Sequence, residues 1–304
     1  MAAFAAGVLA TFAASADPFD PARIPHLAEA GREAFAREYR SAPTHKAFVI
    51  GPGGSWAWVK GAASAEDAVT DALERCDRLS SHCVVYAMDE RIAFAPGKWA
   101  GALAPYPTAA DAASAKTGWE TGRRYFDLGF RTREGKASSL GALRGKLVLV
   151  QFWGSWCPPC RVEMPAFQKL YDSLRDRPDV AFVLLNYREK ADVGYRWADR
   201  HGYRLPFADS GSRGREDDNL YLAAAASDPR VEEPGGSRRS KIEGGGDSPT
   251  AAPIPYGTAV ALSQVPTTFI LDRNGLVIFR KSGATDSWPE MAEQIRHALD
   301  HSAR

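Results

Sequence analysis

The pair Cys157 and Cys160 stands between a stretch typical of a buried strand and a stretch typical of a helix. Residues 147–153 (LVLVQFW) form an almost continuous apolar run, as expected for a central strand that is covered on both faces. Residues 158–175 repeat apolar side chains at helical spacing. The apolar face of this helix comprises Met164, Phe167, Leu170, Tyr171 and Leu174. The junction therefore requires an α/β domain in which both cysteines lie at the first turn of a helix.

The segments that follow extend this α/β pattern. Residues 180–185 (VAFVLL) predict a second buried strand, and residues 191–201 predict a helix. Residues 267–271 and 276–279 predict a β-hairpin about the turn DRNG at 272–275. The order is that of a β–α–β unit followed by an antiparallel hairpin and a helix.

Two further expectations concern the end and the middle of this domain. Ser287 is predicted to start the last helix, with Glu290 completing a capping box. Residues 211–252 are rich in Gly, Ser and charged residues, which predicts a flexible insertion with a short helical piece at 219–226. The domain as a whole is expected to span residues 125–304.

A small α+β accessory module is predicted at residues 20–96. Its expected elements are a helix at 27–39, strands at 47–50 and 56–59 about a Gly-Pro-Gly-Gly turn, a helix from the cap Ser64 to about Arg78, and strands at 83–87 and 92–94. Residues 97–122 are rich in Ala, Gly, Pro and Thr, which is typical of a linker. The module itself resembles no family closely enough to be assigned a function.

Cys76 and Cys83 form a second pair, at the predicted end of a helix and the start of a strand. A disulfide across that turn is feasible, would suit an exported protein and would stabilise a small module. A second redox centre is the alternative, but no helix N-terminus is predicted beside this pair to lower a thiol pKa. The pair is therefore expected to be a structural disulfide.

Residues 1–16 (MAAFAAGVLATFAASA) have the length and composition of a signal segment. The sequence Ala14-Ser15-Ala16 is a small-residue cleavage site, and the run is too short to span a membrane comfortably. No Lys or Arg precedes the apolar run, so an Ala-rich terminus without a signal function is the alternative. We expect a periplasmic or otherwise extracytoplasmic location.

The predicted junction gives Cys157 the surroundings of a reactive thiol. The free N–H groups and the dipole of a helix N-terminus stabilise a thiolate, which is the attacking species in disulfide exchange. Cys160 lies one turn later and can resolve a mixed disulfide by attacking Cys157. This context is typical of a thioredoxin-like redox motif.

Other functions of a Cys-x-x-Cys are disfavoured by its neighbours. A zinc site needs a second ligand pair with suitable spacing, and the nearest His in sequence is His201. A haem attachment motif needs His directly after the second Cys, where this chain has Arg161. We therefore expect no metal and no cofactor. The net charge of +1 gives no reason to expect nucleic acid as a partner.

The segment 153–160 (WGSWCPPC) resembles the active-site segment of the TlpA/ResA-type thioredoxin-like proteins, the exported reductants of bacteria. Residues 140–150 (LGALRGKLVLV) resemble the family's entry into its central strand, and residues 265–269 (VPTTF) resemble its cis-proline loop. The resemblance covers about residues 125–300, apart from the insertion. It implies a thioredoxin fold for the C-terminal domain.

The resemblance also implies roles for residues around the cysteines. Pro266 is expected to be cis and to face the Cys-x-x-Cys, with the backbone of Val265 pairing with a substrate strand. Glu163 matches the family's acidic residue, one helical turn after Cys160, and is expected to assist proton transfer to or from that thiol. A solvent-facing acid is the alternative. Pro165 matches the family's helix-kinking proline.

Departures from ordinary thioredoxin bear on the redox chemistry. Gln151 stands on the central strand where thioredoxin has a buried Asp, and Gln cannot take a proton. Pro158 and Pro159 have no N–H, which leaves that of Cys160 as the donor to a Cys157 thiolate. A less stabilised thiolate makes a more reducing couple, so we expect a potential nearer to thioredoxin's, roughly −270 mV, than to DsbA's, roughly −120 mV.

The sequence thus predicts a protein thiol–disulfide oxidoreductase, with Cys157 as nucleophile, Cys160 as resolving thiol and Trp156 covering the sulfurs. The leading hypothesis is a reductant of disulfides in exported proteins. The resemblance implies substrates that include apocytochrome c thiols in cytochrome c maturation, and a membrane thiol carrier as electron donor. A disulfide oxidase or isomerase, or a non-catalytic thioredoxin-like binding protein, stays open. A peroxiredoxin would need Thr three residues before its cysteine, where Gly154 stands.

Overall fold

The computed structural model describes residues 17–212, 214, 219–221, 253–255 and 265–302 of the 304-residue chain. The predicted signal segment at 1–16 and most of the predicted insertion at 211–252 lie outside these residues. The described residues form a four-stranded sheet, a five-stranded sheet and two small two-stranded sheets.

The N-terminal module is built on the four-stranded sheet. Its elements are helix α1 (Glu29–Glu33), which continues as a π-helix (Ala34–Tyr39), strands β1 (Ala47–Gly51) and β2 (Ser55–Val59), helix α2 (Ala65–Asp77), and strands β3 (Val84–Met88) and β4 (Arg91–Ile92). The strands are antiparallel in the order β2-β1-β3-β4. Ser64 caps α2 by accepting a hydrogen bond from Asp67 N at 3.0 Å. All of the helices and strands predicted for the module are present.

Both faces of strand β1 are buried, which gives the module a core of its own. On one face the rings of Phe35, Tyr39 and Phe48 pack with centroids 5.0–5.7 Å apart. On the other face Ala68 and Ala72 of α2 let the helix approach the sheet closely. The alternation of large and small side chains therefore decides which helix covers which face.

Residues 97–122 join the two units but are packed, unlike the linker that their composition suggests. Trp99 and Leu103 are buried, and helix α3 (Ala109–Ser114) follows them. Gln294 of the C-terminal domain donates a hydrogen bond to the carbonyl of Trp99 at 3.3 Å. Two large apolar side chains anchor this segment, although most of its residues are small.

The C-terminal domain is built on the five-stranded sheet. Its elements are β5 (Gly129–Arg131), β6 (Ala137–Ser139), β7 (Leu147–Trp153), α4 (Pro158–Leu174), β8 (Val180–Asn186), α5 (Ala191–Arg200), β9 (Phe207–Ala208), β10 (Asn219–Tyr221), β11 (Pro253–Pro255), β12 (Thr267–Leu271), β13 (Val277–Ser282) and α6 (Met291–His301). The sheet order is β13-β12-β7-β8-β9. Strands β7, β8 and β9 are parallel, β12 runs antiparallel to β7, and β13 runs antiparallel to β12. This is the thioredoxin-like arrangement that the sequence predicts.

The central strand β7 is buried along its whole length, because a hydrophobic core lies on each face. Leu149 faces the core that contains Phe167 of α4 and Ile295 of α6. Val150 faces the opposite core, which contains Tyr125 and other residues from the segment that precedes β7 in the sequence. The strand is thereby held firmly at the end from which the cysteine segment emerges.

Two local predictions for this domain are wrong. The last helix begins at Met291, four residues after Ser287, and Glu290 makes no capping bond. The Ser287 hydroxyl instead donates to the carbonyl oxygen of His26 at 2.5 Å, a partner 261 residues away. Residues 219–221 form a strand and not a helix, since their backbone pairs with residues 253–255.

The module docks against edge strand β13 of the five-stranded sheet through residues 79–82. Ser81 N donates to the carbonyl oxygen of Arg280 at 2.9 Å, and Ser282 N donates to that of Leu79 at 2.6 Å. A nitrogen of the His82 ring lies 2.7 Å from the carbonyl oxygen of Ile278. Backbone pairing with the module thus covers an edge of the sheet that would otherwise be exposed.

Candidate active site

Cys157 and Cys160 lie at the start of helix α4, immediately beyond the end of strand β7. The structure joins them in a disulfide. Cys157 is the N-cap residue of α4, and its Sγ accepts a hydrogen bond from Cys160 N at 3.2 Å. Cys157 is 2% exposed and Cys160 is fully buried. Of the two cysteines, only Cys157 therefore has any solvent-exposed surface.

The loop before Cys157 is fixed by a carboxylate from beyond strand β8. Glu189 accepts hydrogen bonds from Ser155 N at 2.7 Å and from Ser155 Oγ at 2.6 Å. Burial raises the pKa of Glu189, and the two bonds from Ser155 oppose that rise. The Trp156 indole N–H donates to the carbonyl oxygen of Tyr187 at 2.9 Å, which holds the ring over the loop. A side chain at Gly154 would collide with that ring, since an added Cβ would lie 2.4 Å from Trp156 Nε1.

Val265 and Pro266 face the disulfide from the start of strand β12. The peptide bond between them is cis. The carbonyl oxygen of Val265 lies 3.4 Å from Cys157 Sγ. Thr267, the next residue, pairs with Phe152 in the sheet. The Val265 backbone thus lies just ahead of the first paired residue of β12 and beside the sulfur.

Glu163 lies one turn after Cys160 and is 1% exposed, so it is not the solvent-facing acid of the alternative interpretation. Its Oε1 accepts a hydrogen bond from Gln151 Nε2 at 2.5 Å. Its Oε2 accepts from Trp288 Nε1 at 3.0 Å and from Thr285 N at 3.3 Å. Pro165 lies within the same helix. One donor from β7 and two from the loop between β13 and α6 therefore surround one buried carboxyl group.

Burial raises the pKa of Glu163, whereas Trp288, Lys281 and Thr285 act to lower it. Gln151 Oε1 is buried and has no hydrogen-bond partner among the described residues. A half-turn of the Gln151 amide would present Oε1 to a protonated Glu163, because the amide can serve either as donor or as acceptor. The pair can therefore accommodate both protonation states of the acid.

Several of these residues carry no sequence signal for the site. Glu189, Thr285 and Trp288 reach it only through the fold. Trp153 is core, packed between Trp197 and Phe207 with ring centroids 5.7 and 4.7 Å away. The sequence found the residues that lie on α4 and at the start of β12.

Cys76 and Cys83 are joined in a disulfide that links the last turn of α2 to the start of β3. Cys76 is fully buried against β1, and the loop between the cysteines carries the residues that dock on β13. Within the described residues, no group of three His, Cys, Asp or Glu side chains is arranged to hold a metal ion. None of the described helices is long and apolar enough to cross a membrane.

Comparison with known families matches residues 121–221 to the AhpC/TSA family. That range contains Cys157 and Cys160. Together with the strand order, it shows the C-terminal domain to be thioredoxin-like, as predicted.

Curated relatives share this similarity. The "Thioredoxin-like protein YneN" of Bacillus subtilis is 37% identical over 92 residues, which is 30% of this chain and 54% of that protein. The "Thiol-disulfide oxidoreductase ResA" of Halalkalibacterium halodurans is 38% identical over 73 residues, which is 24% of this chain and 41% of that protein. The chain thus spans about half the length of the curated relatives it matches.

Solved structures with detectable similarity include one from Chlorobium tepidum described as a putative thiol:disulfide interchange protein DsbE. It is 20% identical, with a TM-score of 0.40, over 60% of this chain and 99% of that chain. StoA from Bacillus subtilis is 20% identical, with a TM-score of 0.35, over 56% of this chain and 95% of that chain.

Proposed function

We propose that this chain is a thiol–disulfide oxidoreductase that reduces disulfides in other proteins outside the cytoplasm. The observation that carries the proposal is the position of Cys157 at the N-terminus of α4, paired with Cys160, one turn before a buried acid. A helix N-terminus stabilises a thiolate. The relatives named as thiol-disulfide oxidoreductases support the same chemistry.

The reaction begins from the dithiol form of the pair. The Cys157 thiolate attacks one sulfur of a substrate disulfide, and the other substrate sulfur leaves as a thiolate that takes a proton. Cys160 then loses its proton and attacks Cys157, which releases the second substrate thiol. Two electrons pass to the substrate, and the protein is left with the Cys157–Cys160 disulfide. The assignment of Cys157 as nucleophile is supported by its border with solvent, since Cys160 is fully buried.

Glu163 is the proposed acceptor of the Cys160 proton. It lies on the same helix, one turn away, and its carboxyl group is shielded from water. A raised pKa suits this role, because a base is most useful when its pKa lies near the working pH. Gln151 supports the exchange because its amide can pair with either form of the acid.

Val265 is the proposed backbone contact for the substrate. It lies ahead of the first paired residue of β12 and beside Cys157 Sγ. A substrate segment that pairs there would bring its disulfide alongside Cys157 by β-strand addition. Trp156 and Pro266 complete the proposed surface around Cys157 that a substrate would contact.

The proposed direction of electron flow is supported by the hydrogen-bond donors at Cys157 Sγ. Within the described residues, Cys160 N is the single hydrogen-bond donor to that sulfur, since Pro158 and Pro159 have no N–H. Fewer donors stabilise the thiolate less, which favours a reducing couple. Such a couple needs an electron donor, for which a membrane thiol carrier is the proposed source, and apocytochrome c thiols are one proposed substrate class.

An extracytoplasmic location is supported by two features. Residues 1–16 have the composition of a signal segment. The Cys76–Cys83 disulfide requires an oxidising compartment to form and persist.

The decisive experiment traps the mixed disulfide. The reduced Cys160→Ser variant is mixed with insulin as a model protein disulfide, and the adduct is located by peptide mass spectrometry. We expect a stable adduct at Cys157 for this variant and none at Cys160 in the matched Cys157→Ser variant. An adduct at Cys160, or no adduct in either, would overturn the cysteine roles.

The direction is tested separately with the wild-type chain. The reduced form should reduce insulin faster than the oxidised form oxidises a dithiol peptide at equal concentration. The reverse order would make the protein a disulfide donor. The absence of both reactions would favour a binding protein.

A further inference from the structure

Lys281 is a second ionisable side chain buried on the sheet face that carries the candidate site. It is 4% exposed, and it forms no ion pair with any described residue. Its Nζ donates one hydrogen bond, to Ser55 Oγ of the N-terminal module, at 3.0 Å. Burying an ammonium group without a contacting carboxylate is costly, so a compensating charge is expected nearby.

The strand register places Lys281 on the same row as Gln151. Lys281 lies opposite Thr268, and Thr268 lies opposite Gln151. Directly opposed residues of antiparallel strands point to the same face of the sheet. Gln151 contacts Glu163 on that face, and Glu163 is the charged group whose field acts on Lys281.

We propose that Lys281 is a positioning residue of the redox centre, whose buried ammonium group holds a compensating positive charge beside the Glu163 carboxylate, and that Ser55 fixes the ammonium group there. The inference rests on the proposed function, because it takes Glu163 as the acceptor of the Cys160 proton. It makes the N-terminal module a component of the redox centre, since Ser55 belongs to strand β2 of that module.

The turn before Ser55 is shaped to lie on this part of the sheet. Gly53 has a φ of 71°, and an added Cβ would lie 3.2 Å from Lys281 Cδ. At Gly54, with a φ of 80°, an added Cβ would lie 2.7 Å from Thr285 Oγ1. Only glycine fits both the backbone conformation and the close approach. The module therefore contacts Lys281 and, through Thr285, the loop that donates to Glu163.

The charges around this pair are few. Burial lowers the pKa of Lys281, and Glu163 acts to raise it again. From the module, His26 accepts a hydrogen bond from Gly53 N, and burial lowers its pKa to about 4, so it is neutral at neutral pH. Asp286 is exposed beside Ser287. Lys281 is thus the cation placed to favour an ionised Glu163.

The test measures the titration of the Glu163 carboxyl group by carbon-13 NMR on glutamate-labelled protein, with Glu163→Gln identifying the signal. In Lys281→Met we expect the midpoint to rise by about one pH unit or more, because an opposite charge is lost. In Ser55→Ala it should rise by less. The matched control is Lys46→Met, which removes another buried lysine (1% exposed, paired with Glu90) from the module. That variant should leave the midpoint unchanged.

A kinetic arm uses the rate at which the mixed disulfide on Cys157 is resolved. If Glu163 accepts the Cys160 proton, this rate rises with pH to a plateau, and Lys281→Met should move the midpoint upward with the NMR midpoint. Well below that midpoint the rate should fall about tenfold for each pH unit of displacement. Ser55→Ala keeps the test available if Lys281→Met fails to fold.

The outcomes separate this inference from the proposed function. An unchanged Glu163 midpoint in both Lys281→Met and Ser55→Ala overturns the role of Lys281, whatever the activity. A displacement equal to that of Lys46→Met also overturns it, since any buried lysine would then suffice. Failure of the wild-type chain to react with insulin overturns the proposed function. The Glu163 midpoint measured by NMR still decides the role of Lys281, because it does not depend on that activity.

Discussion

The two disulfides of this chain occupy opposite ends of helices. Cys157 caps the N-terminus of the 17-residue helix α4, where the dipole is positive. Cys76 lies at the C-terminal end of the 13-residue helix α2, and its carbonyl oxygen accepts from Leu79 N and Ser80 N. A thiolate would be stabilised at the first position and destabilised at the second. The position of a cysteine on its helix therefore decides its chemistry.

The surroundings of the two pairs differ in the same sense. Cys160 is followed one turn later by the buried Glu163, whose protonation can change. Cys76 is followed by Asp77, which places a carboxyl group at the negative end of the helix dipole. The Cys76–Cys83 loop binds strand β13 through its backbone and so holds the module in place. Under the proposed function, one pair serves thiol–disulfide exchange and the other closes a loop.

The largest expected effect separates the two pairs by activity. Cys157→Ser should reduce catalysed insulin reduction to the rate of the uncatalysed thiol reaction, because the nucleophile is lost. The double variant Cys76→Ala, Cys83→Ala should keep the wild-type rate. Both are measured by turnover with a thiol reductant. Equal losses in the two variants would erase the distinction.

The next effect concerns stability. Removal of the Cys76–Cys83 disulfide, which closes a short loop of sequence separation 7, should lower the free energy of unfolding by about 2.5 kcal/mol. The loss should appear as a lower urea midpoint at unchanged slope. An unchanged midpoint would show that the docked loop is held without its disulfide.

At the redox centre, removing the ionisable group of Glu163 should raise the free energy of unfolding, whereas removing the Cys76–Cys83 disulfide lowers it. Burial raises the pKa of Glu163, so the unfolded chain ionises first, and stability falls as pH rises from about 4.5 towards the folded-state pKa. Glu163→Gln should remove that fall and raise the free energy of unfolding on the order of 2 kcal/mol above neutral pH. Urea unfolding at acidic and at mildly alkaline pH measures the difference. Parallel curves for variant and wild type would contradict it.

A smaller effect is expected at the loop before Cys157. Glu189→Ala leaves the Ser155 N–H without its partner, which should cost about 1 kcal/mol of stability. Glu189→Gln retains one acceptor and is the matched control. Resolution of the mixed disulfide by Cys160 should slow less in either variant than in Glu163→Gln. A complete loss of exchange in Glu189→Gln would give the carboxylate a larger role than positioning.

Local sequence patterns account for most of the fold and for part of the site. Apolar periodicity gave the strand at 147–153 and the helix that follows, and the Gly-Pro-Gly-Gly turn gave the first hairpin. The features that failed depend on distant partners. Ser287 was expected to cap a helix, but its hydroxyl bonds the carbonyl oxygen of His26. Lys281 carries no local signal, because its burial depends on a module more than 200 residues earlier.

The most direct test of the account is a redox titration of both disulfides in one sample, with reduced cysteines labelled and counted by mass spectrometry. The account predicts that Cys157–Cys160 is reduced near roughly −270 mV, whereas Cys76–Cys83 stays oxidised to below roughly −300 mV. Reduction of Cys76–Cys83 at the same or a higher potential would contradict the division of roles. A Cys157–Cys160 potential near roughly −120 mV would contradict the proposed direction of electron flow.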